Sequence, residues 1–417
     1  MIPKSTLAKI VLKQRKGLED RNSGQLRHML PTMPYLTDRA LLIGGVRGSG
    51  RSTLLLQMLE NDYPQAWYTD FSDARLAGFD SGDFIKLSAL IAESGTASSP
   101  KQRFALPYPC GWVPFVTEKL AEGIKVVATV SLDTMLAVQR GQQAMAAGEW
   151  LVEDPLQVSQ YIIRKVGLFS YSEFLEATHK RGGEEAVEEY LLRGAFPECC
   201  KPGRTASLLS LYDLIVNRDV LIAKGVRDRV TLARIALHLL TATGTGVTAN
   251  AIRNQLKVKA VSTVTEHMEH LERAGLVSFV PILGTTPGRQ AVNPRRVYAV
   301  DTAMAIALSL DELSRESLFS TLIYNHIANQ YDSICYTSEQ GGCDFVASGE
   351  GLLTLCVQAC WEADDPDLLQ NKIDGLRAAM ALTGVQRGVI VTPNRSERIS
   401  VNEGEIEIVE ADAFLSE

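Results

Sequence analysis

The pattern of apolar and polar positions divides the chain into segments of different kinds. Residues 1–36 place basic residues between aliphatic ones at helical spacing, which predicts a helical leader. Residues 39–59 run from a short apolar stretch through a glycine-rich turn into an amphipathic segment, the order strand, loop and helix. Further strands are predicted in "QAWYTDF" and "IKVVATVS". Residues 37–175 are therefore expected to form an α/β domain with a mostly parallel sheet.

The pattern changes again in the second half of the chain. Residues 176–230 are predominantly helical and predict a connector. Residues 231–300 give a short helix, a turn, a longer helix that begins near Val261, and an apolar β-like run, an order that predicts a winged helix. Residues 301–417 give the helix "LFSTLIYNHIANQ", a hairpin in "CDFVASGEGLLTLCVQACW" and the strand "RGVIVTP", which predict a further α/β domain. The predicted fold class is thus α/β and multidomain.

Composition narrows the class of protein. A chain of 417 residues is too long for one compact core, and 46% hydrophobic with 22% charged residues is ordinary for a soluble protein. It has no apolar run of membrane-spanning length, and its N-terminus lacks the apolar core of a secretory signal, so we expect a cytoplasmic protein. The net charge of −7 argues against a uniformly basic nucleic-acid coat, and seven cysteines without a C-x-x-C pair argue against a disulfide framework or a zinc ribbon.

The turn "GGVRGSGRST" carries the most specific chemistry. In the phosphate-binding pattern Gly-x-x-x-x-Gly-Lys-Ser/Thr, backbone N–H groups wrap the phosphates, the lysine reaches the outer phosphates and the hydroxyl holds Mg²⁺. This chain has arginine in place of the lysine, and a planar guanidinium is bulkier than an ammonium. If Mg-ATP binds, Ser52 is the expected metal ligand. The predicted phosphate-binding residues are Gly45, Gly48, Ser49, Gly50, Arg51, Ser52 and Thr53.

The same turn also fits a strand-to-helix connection that binds no ligand. Hydrolysis further needs an acid at the end of a neighbouring strand to position Mg²⁺ and water. The sequence has no Asp or Glu between Glu93 and Glu118, where that acid is expected. Asp70 and Asp133 lie near the ends of predicted strands and are the candidates to replace it, although each also fits a solvated loop position.

Motifs in succession resemble the bacterial and archaeal AAA-superfamily ATPases that carry a C-terminal domain of unknown function. In that family a P-loop domain precedes a winged helix and a nuclease-like domain, and the likeness covers nearly the full length. The segments that carry it, in order, are "QRKGLEDRNSGQLRH", "GGVRGSGRSTLLLQ", "YTDFSDARL", "LFSYSEFLEA", "YLLRGAFPE", "NRDVLIAKGVRD" and "RRVYAVDTAMAIAL".

The resemblance implies that several catalytic elements are altered together. The family's acidic strand maps onto "RFALPYPCGW", which puts Phe104 and Ala105 where two acids should stand. The asparagine of the family's sensor strand maps near Leu132 or Asp133. With Arg51 in place of lysine, three elements depart from the pattern, which implies a degenerate ATPase.

The C-terminal segment resembles a restriction-endonuclease-like fold. Its chemistry needs an Asp, followed on the next strand by an acid-x-Lys, to hold a divalent metal and activate water. Asp344 occupies the first place, but Gln358 and Cys360 occupy the second and cannot supply a carboxylate and a lysine. We therefore expect no metal-dependent cleavage, and a capping or hydrogen-bonding role for Asp344.

The predicted winged helix is a candidate DNA-binding module. The residues that its turn and second helix would offer to a groove or to phosphates are Lys257, Lys259, Ser262, Thr263 and Thr265. Acidic residues in the later turns and few aromatic residues keep the basic footprint small. A protein-contact or spacer role fits equally, because a fold does not fix a function.

These observations leave three hypotheses for function. The first is a regulatory or scaffolding protein with impaired or absent ATP hydrolysis, acting with a protein partner or as a homo-oligomer. The second is a slow ATPase that uses Arg51 with Asp70 or Asp133. The third is a DNA-binding regulator. ATP and Mg²⁺ are the cofactors to expect if the glycine-rich turn is functional, and none otherwise.

Overall fold

The computed structural model describes residues 1–19, 24–64, 66–93, 112–146, 160–200, 204–285, 293–338, 341–349 and 354–417. Over these ranges the chain is a mixed α/β, multidomain protein, as predicted. It divides into two compact units, Met1–Gly167 and Leu168–Glu417. The boundary therefore lies after Gly167 and not, as predicted, at residue 175. Residue 175 is inside the helix Tyr171–Thr178, whose start is fixed by a capping box of Ser170 and Glu173.

The first unit is built on a parallel sheet. Its strands lie in the order β2-β1-β3, and Gly45 at the end of β1 is in register with Ser131 of β2. The prediction of a parallel sheet, with a strand in "IKVVATVS", is confirmed over the described residues. The helices and strands are α1 Lys4–Glu19, β1 Ala40–Gly45, α2 Arg51–Asp62, α3 Asp83–Glu93, α4 Trp112–Ala121, β2 Val127–Ser131, α5 Leu132–Ala146 and β3 Tyr161–Lys165.

Strand β1 is buried along its whole length and serves two cores. Successive side chains of a strand point to opposite faces, so Ala40 and Leu42 pack on one side while Leu41 and Ile43 pack on the other. A strand that is covered on both faces is typical of a parallel sheet, and it explains the unbroken apolar run before the glycines.

The leader is part of the first unit's core rather than a separate segment. Leu7, Ile10 and Val11 of α1 are buried in the same cluster as Leu87 of α3. The main-chain N–H of Ile2 also donates to the carboxylate of Asp83, at 3.0 and 3.1 Å. The predicted domain start at residue 37 therefore cuts through a packed unit.

The strand predicted in "QAWYTDF" is wrong for the described residues 66–71, which form no regular element. Trp67 and Tyr68 are buried, so the apolar signal was real. However, the main-chain groups of Asp70 are bonded by the side-chain amide of Gln14, which donates to its carbonyl at 2.9 Å and accepts from its N–H at 3.0 Å. A helix side chain has taken the place of a neighbouring strand.

The second unit begins with helices and contains two sheets. Its elements are α6 Tyr171–Thr178, α7 Glu184–Arg193, α8 Arg204–Leu214 with a π-helical continuation Ile215–Ile222, α9 Arg229–Thr241, β4 Gly246–Val247, α10 Ala249–Leu256, α11 Val261–Arg273, β5 Val277–Val280, β6 Arg295–Ala299, α12 Thr302–Leu308, α13 Arg315–Ile327, β7 Ser333–Cys335, β8 Phe345–Ser348, β9 Leu355–Ala359, α14 Pro366–Thr383, β10 Arg387–Thr392, β11 Glu397–Val401, β12 Gly404–Glu410 and α15 Ala411–Ser416.

The smaller sheet is antiparallel, in the order β4-β6-β5. Its strands come from the same segment of the chain as α9, α10 and α11. The helix expected to begin near Val261 begins there. Its buried face consists of Val264, His267, Met268 and Leu271, the spacing of a helix with one apolar side.

The larger sheet is mixed, in the order β11-β12-β10-β9-β8-β7. The predicted hairpin is the antiparallel pair of β8 and β9, and the predicted strand "RGVIVTP" contains β10. Helix α13 packs on one face, in a cluster that includes Phe319 and Phe345, and α14 packs on the other, in a cluster that includes Leu376 and Ile390. This two-sided burial explains why the central strands are apolar.

None of the described helices combines the length and the apolar character that crossing a membrane requires.

Candidate functional site

The glycine-rich loop, residues 45–50, joins β1 to α2 through two left-handed turns of the backbone. Gly48 has φ 84° and Gly50 has φ 89°, conformations that side chains with a Cβ adopt only at a cost. Gly50 is the N-cap of α2, and its carbonyl accepts the first helical hydrogen bond from Leu54 at 2.9 Å. The loop therefore delivers the positive end of a helix dipole to the carboxyl edge of the sheet.

Packing beneath the loop also demands small residues. A Cβ on Gly45 would meet the main-chain oxygen of Val166 at 2.4 Å. Ser49 is fully buried, and its hydroxyl has no hydrogen-bond partner within the described part of the chain. Gly45 is thus explained by close packing alone, whereas the unpaired buried hydroxyl of Ser49 is not.

Arg51, the residue in the lysine position, is the first residue of α2. Its guanidinium donates a hydrogen bond to the main-chain oxygen of Val130, on the neighbouring strand β2. Ser52 is exposed and Thr53 is partly exposed in the same helical turn. The Arg51 cation is therefore engaged with the sheet.

Arg27 is a buried arginine at the loop that the sequence analysis missed. Its guanidinium donates to the main-chain oxygens of Ser49, at 2.6 Å, and Gly167, at 3.0 Å, and only 4% of the residue is exposed. Its main-chain N–H donates to the side chain of Gln57 on α2 at 3.2 Å. Because it comes from the leader, no spacing relative to the loop could have indicated it.

The two candidate acids lie in different environments. Asp133 is in the first turn of α5, directly after β2, and the register of Gly45 with Ser131 places it at the same sheet edge as the loop. Asp70 accepts hydrogen bonds from the main chain of Ser72, at 2.9 Å, and from its hydroxyl, at 2.6 Å, which stabilises a local turn. Phe104 and Ala105 lie outside the described residues.

The residues predicted to contact DNA lie on the turn between α10 and α11 and in the first turns of α11. Lys257 ends α10 in a left-handed conformation with φ 53°, and Lys259 and Ser262 are exposed. Thr263 and Thr265 are partly exposed, and the Thr265 hydroxyl donates back to a main-chain oxygen of its own helix at 3.1 Å. Ser262, Thr263 and Thr265 thus lie outside the buried face of α11.

The nuclease-like candidates also meet. Asp344 precedes β8 and is 6% exposed, and Gln358 of β9 is fully buried. The Gln358 amide oxygen accepts from the N–H of Asp344 at 3.1 Å, and its nitrogen donates to the oxygen of Gly342 at 2.7 Å. A carboxylate could not make the second bond, so the amide is required by the main chain around it. Burial, and after it the charge of Glu316, raises the pKa of the Cys360 thiol to about 11.

Three charged residues that the sequence analysis missed complete an ion-pair network, defined here as Arg296, Glu316, Asp344 and Lys372. The Lys372 ammonium lies 2.8 Å from Asp344 Oδ2 and 2.9 Å from Glu316 Oε1, and the Arg296 guanidinium bonds Asp344 Oδ1. Burial by itself raises the pKa of Asp344, but Lys372 and then Arg296 overcome it and hold that pKa below its ordinary value.

Lys372 could not be recognised from the sequence because it is on α14, not on the strand after Asp344. Burial opposes its charge, yet Asp344 and then Glu316 raise the pKa of Lys372, so the ammonium stays protonated. On an amphipathic helix, a lysine in "LLQNKIDGL" is normally assigned to the solvated face.

The chain is similar to a protein family model and to a curated protein. The model of a domain of unknown function, DUF8612, matches residues 184–315. An uncharacterized protein of Haemophilus influenzae is 26% identical over 260 residues, which covers 58% of this chain and 62% of that relative. The match thus spans less than two thirds of the relative's length. The matched family region contains α10, α11 and Arg296 but ends before Glu316.

Proposed function

We propose that this chain is a degenerate phosphate-loop protein of the AAA type that acts in the cytoplasm as a regulatory or scaffolding component. In this proposal it works with a protein partner or as a homo-oligomer, and its hydrolysis of ATP is impaired or absent. The observation that carries the proposal is the hydrogen bond from the Arg51 guanidinium to the Val130 oxygen. The cation that should meet the outer phosphates is held by the main chain of the sheet.

Retained phosphate binding is supported by the loop itself. Gly48 and Gly50 allow the backbone N–H groups to turn towards one side, and the start of α2 adds the favourable end of a helix dipole. The buried Ser49 hydroxyl, unpaired among the described residues, is a further polar group within this loop. If Mg-ATP binds, Ser52, which is exposed at the first helical turn, is the expected ligand of Mg²⁺.

Impaired turnover is supported by the state of the acids. The Asp70 carboxylate already accepts hydrogen bonds from Ser72. In this proposal it stabilises a local turn and does not position the attacking water molecule. Asp133 is the one of the two candidates at the sheet edge with the loop, and a slow ATPase remains the alternative that depends on it. An acid must position both the metal ion and the attacking water for rapid hydrolysis.

DNA binding is a second candidate function, favoured by the joint exposure of Lys257, Lys259 and Ser262 at one turn. In this proposal α9 to α11 with the sheet β4-β6-β5 form a winged helix, and α11 enters the groove. The acidic residues Glu266 and Glu269 are also exposed on α11, so the contact would be limited to its beginning.

The test is calorimetric titration of the purified chain with ATP, with and without Mg²⁺, followed by measurement of phosphate release. We expect binding that Mg²⁺ does not strengthen, and no release. Gly48→Val should abolish binding, because a β-branched residue does not adopt φ 84°. The control is Gly78→Val, since a Cβ there meets nothing within 4 Å.

Two results would contradict the proposal. Phosphate release that Asp133→Ala abolishes would establish the slow ATPase instead. Absence of ATP binding by the unaltered chain, with Gly48→Val and Gly78→Val folded alike, would show that the loop is only a strand-to-helix connection.

A further inference from the structure

The ion-pair network lies where the nuclease-like resemblance implies a divalent metal ion, so the fit of its residues to a metal can be tested. We propose that the Lys372 ammonium takes the position between Asp344 and Glu316 that a divalent cation would take. The ion-pair network is then a structural contact that joins parts of the second unit, and not a metal site.

The carboxylate oxygens that a metal would need are already bonded. Asp344 Oδ1 accepts from Arg296, and Asp344 Oδ2 accepts from Lys372 at 2.8 Å and from the N–H of Ala359 at 3.1 Å. Glu316 Oε1 lies 2.9 Å from Lys372, and its Oε2 accepts from the N–H of Trp361 at 2.7 Å. Each oxygen of both carboxylates therefore has a donor from the protein.

The charges of the network cancel without a metal. Two carboxylates face one ammonium and one guanidinium, and Gln358 beside them contributes no charge. Adding a divalent cation would leave two uncompensated positive charges at a site where Asp344 is 6% exposed, which is costly in a buried environment. Among the described residues no group of three or more His, Cys, Asp or Glu is arranged to hold a metal ion.

The network instead joins four elements of the second unit. Arg296 is on β6 of the smaller sheet, Glu316 is on α13, Asp344 precedes β8 of the larger sheet, and Lys372 is on α14. Arg296 also lies over the ring of Tyr336, 4.8 Å from its centroid. The Tyr336 main chain accepts from Leu283 at 2.8 Å, next to β5. The network thus fixes the smaller sheet against the larger one.

The experiment is Mn²⁺ binding, followed by electron paramagnetic resonance and calorimetry. We expect the unaltered chain to bind no Mn²⁺ at this centre. Lys372→Ala leaves the two carboxylates facing a vacated position and should bind Mn²⁺ at least about tenfold more tightly than the unaltered chain. Lys372→Ala with Asp344→Asn should lose that binding. Lys180→Ala is the matched control, because it removes a lysine from the exposed pair with Glu189.

The outcomes separate clearly. Mn²⁺ binding by the unaltered chain that Asp344→Asn removes would overturn the proposal in favour of a true metal centre. Folded Lys372→Ala that gains no Mn²⁺ affinity would also overturn it. If Lys372→Ala does not fold, Lys372→Met retains most of the aliphatic stem without the charge and takes its place. If neither variant folds, the comparison of the unaltered chain with Asp344→Asn decides alone.

Discussion

The side-chain amide of Gln14 bonds both main-chain groups of Asp70, accepting from the N–H at 3.0 Å and donating to the oxygen at 2.9 Å. The amide thereby replaces a neighbouring strand for a segment that the sequence predicts as β. Gln14→Ala leaves these part-buried groups without that partner and should lower the free energy of unfolding by about 1–3 kcal/mol. Urea denaturation measures this loss. The adjacent exposed Lys13→Ala is the control, and equal stability of the two variants would contradict the assignment.

Arg51→Lys should not restore ATP hydrolysis. Although the substitution recreates the usual phosphate-loop cation, Asp70 remains bound to Ser72, and the proposed degenerate site does not use Asp133 in place of the missing acid. Phosphate release by Arg51→Lys should equal that of Gly48→Val, in which the loop conformation is disrupted. Release above this background would show that the lysine alone had been lacking.

Gly45→Ala should destabilise the first unit whether or not a nucleotide binds. The added Cβ would lie 2.4 Å from the main-chain oxygen of Val166, and backbone cannot move aside cheaply. Overpacking of this kind costs about 1–3 kcal/mol. Thermal unfolding of Gly45→Ala should begin at a lower temperature than that of Gly78→Ala, where the Cβ meets nothing within 4 Å. Identical melting temperatures would rule out this contact.

Asp301 should make the stability of the second unit fall as the pH rises from about 4 to 6. Burial raises the pKa of Asp301 from 3.8 to about 6, although it accepts hydrogen bonds from the N–H groups of Ala195 and Met304. In this window the native state binds more protons than the unfolded state. The contribution of Asp301 to the free energy of unfolding is therefore full below pH 3.8 and is lost as the pH passes 6. The contribution amounts to about 3 kcal/mol.

The measurement is the free energy of unfolding against pH for the unaltered chain and Asp301→Asn. Because Asn does not titrate, the free energy of unfolding of the variant should fall less between pH 4 and 6. The difference from the unaltered chain is the contribution of Asp301. Asp311→Asn, at an exposed position, should keep the original profile. Parallel profiles for all three proteins would refute the shift.

If α11 contacts DNA, replacing Lys257 and Lys259 by Gln should weaken binding to all sequences alike. Each phosphate contact releases about one counterion, so the slope of log affinity against log salt should decrease by about 2. Fluorescence anisotropy with a short duplex measures both quantities. Lys13→Gln with Lys16→Gln removes the same charge from exposed positions of α1 and should leave the slope unchanged. If the unaltered chain binds no duplex at low salt, the DNA hypothesis fails.

Much of the fold could be predicted from local patterns. The apolar run before Gly45, the left-handed glycines and the helix after them follow one another directly in the sequence and form one continuous segment. The start of α11 at Val261 and the hairpin of β8 and β9 were predicted for the same reason. Periodicity records which side of an element is buried, and that property belongs to the element itself.

Contacts between distant residues could not be predicted in this way. The sequence determined that Arg51 is a cation at the start of a helix, but the sheet decided that its guanidinium bonds Val130. The sequence likewise showed Asp344, whereas the fold brought Lys372 and Glu316 to it from separate helices. A charge interacts with whatever the tertiary structure places within a few ångströms, and burial then sets the strength of that interaction.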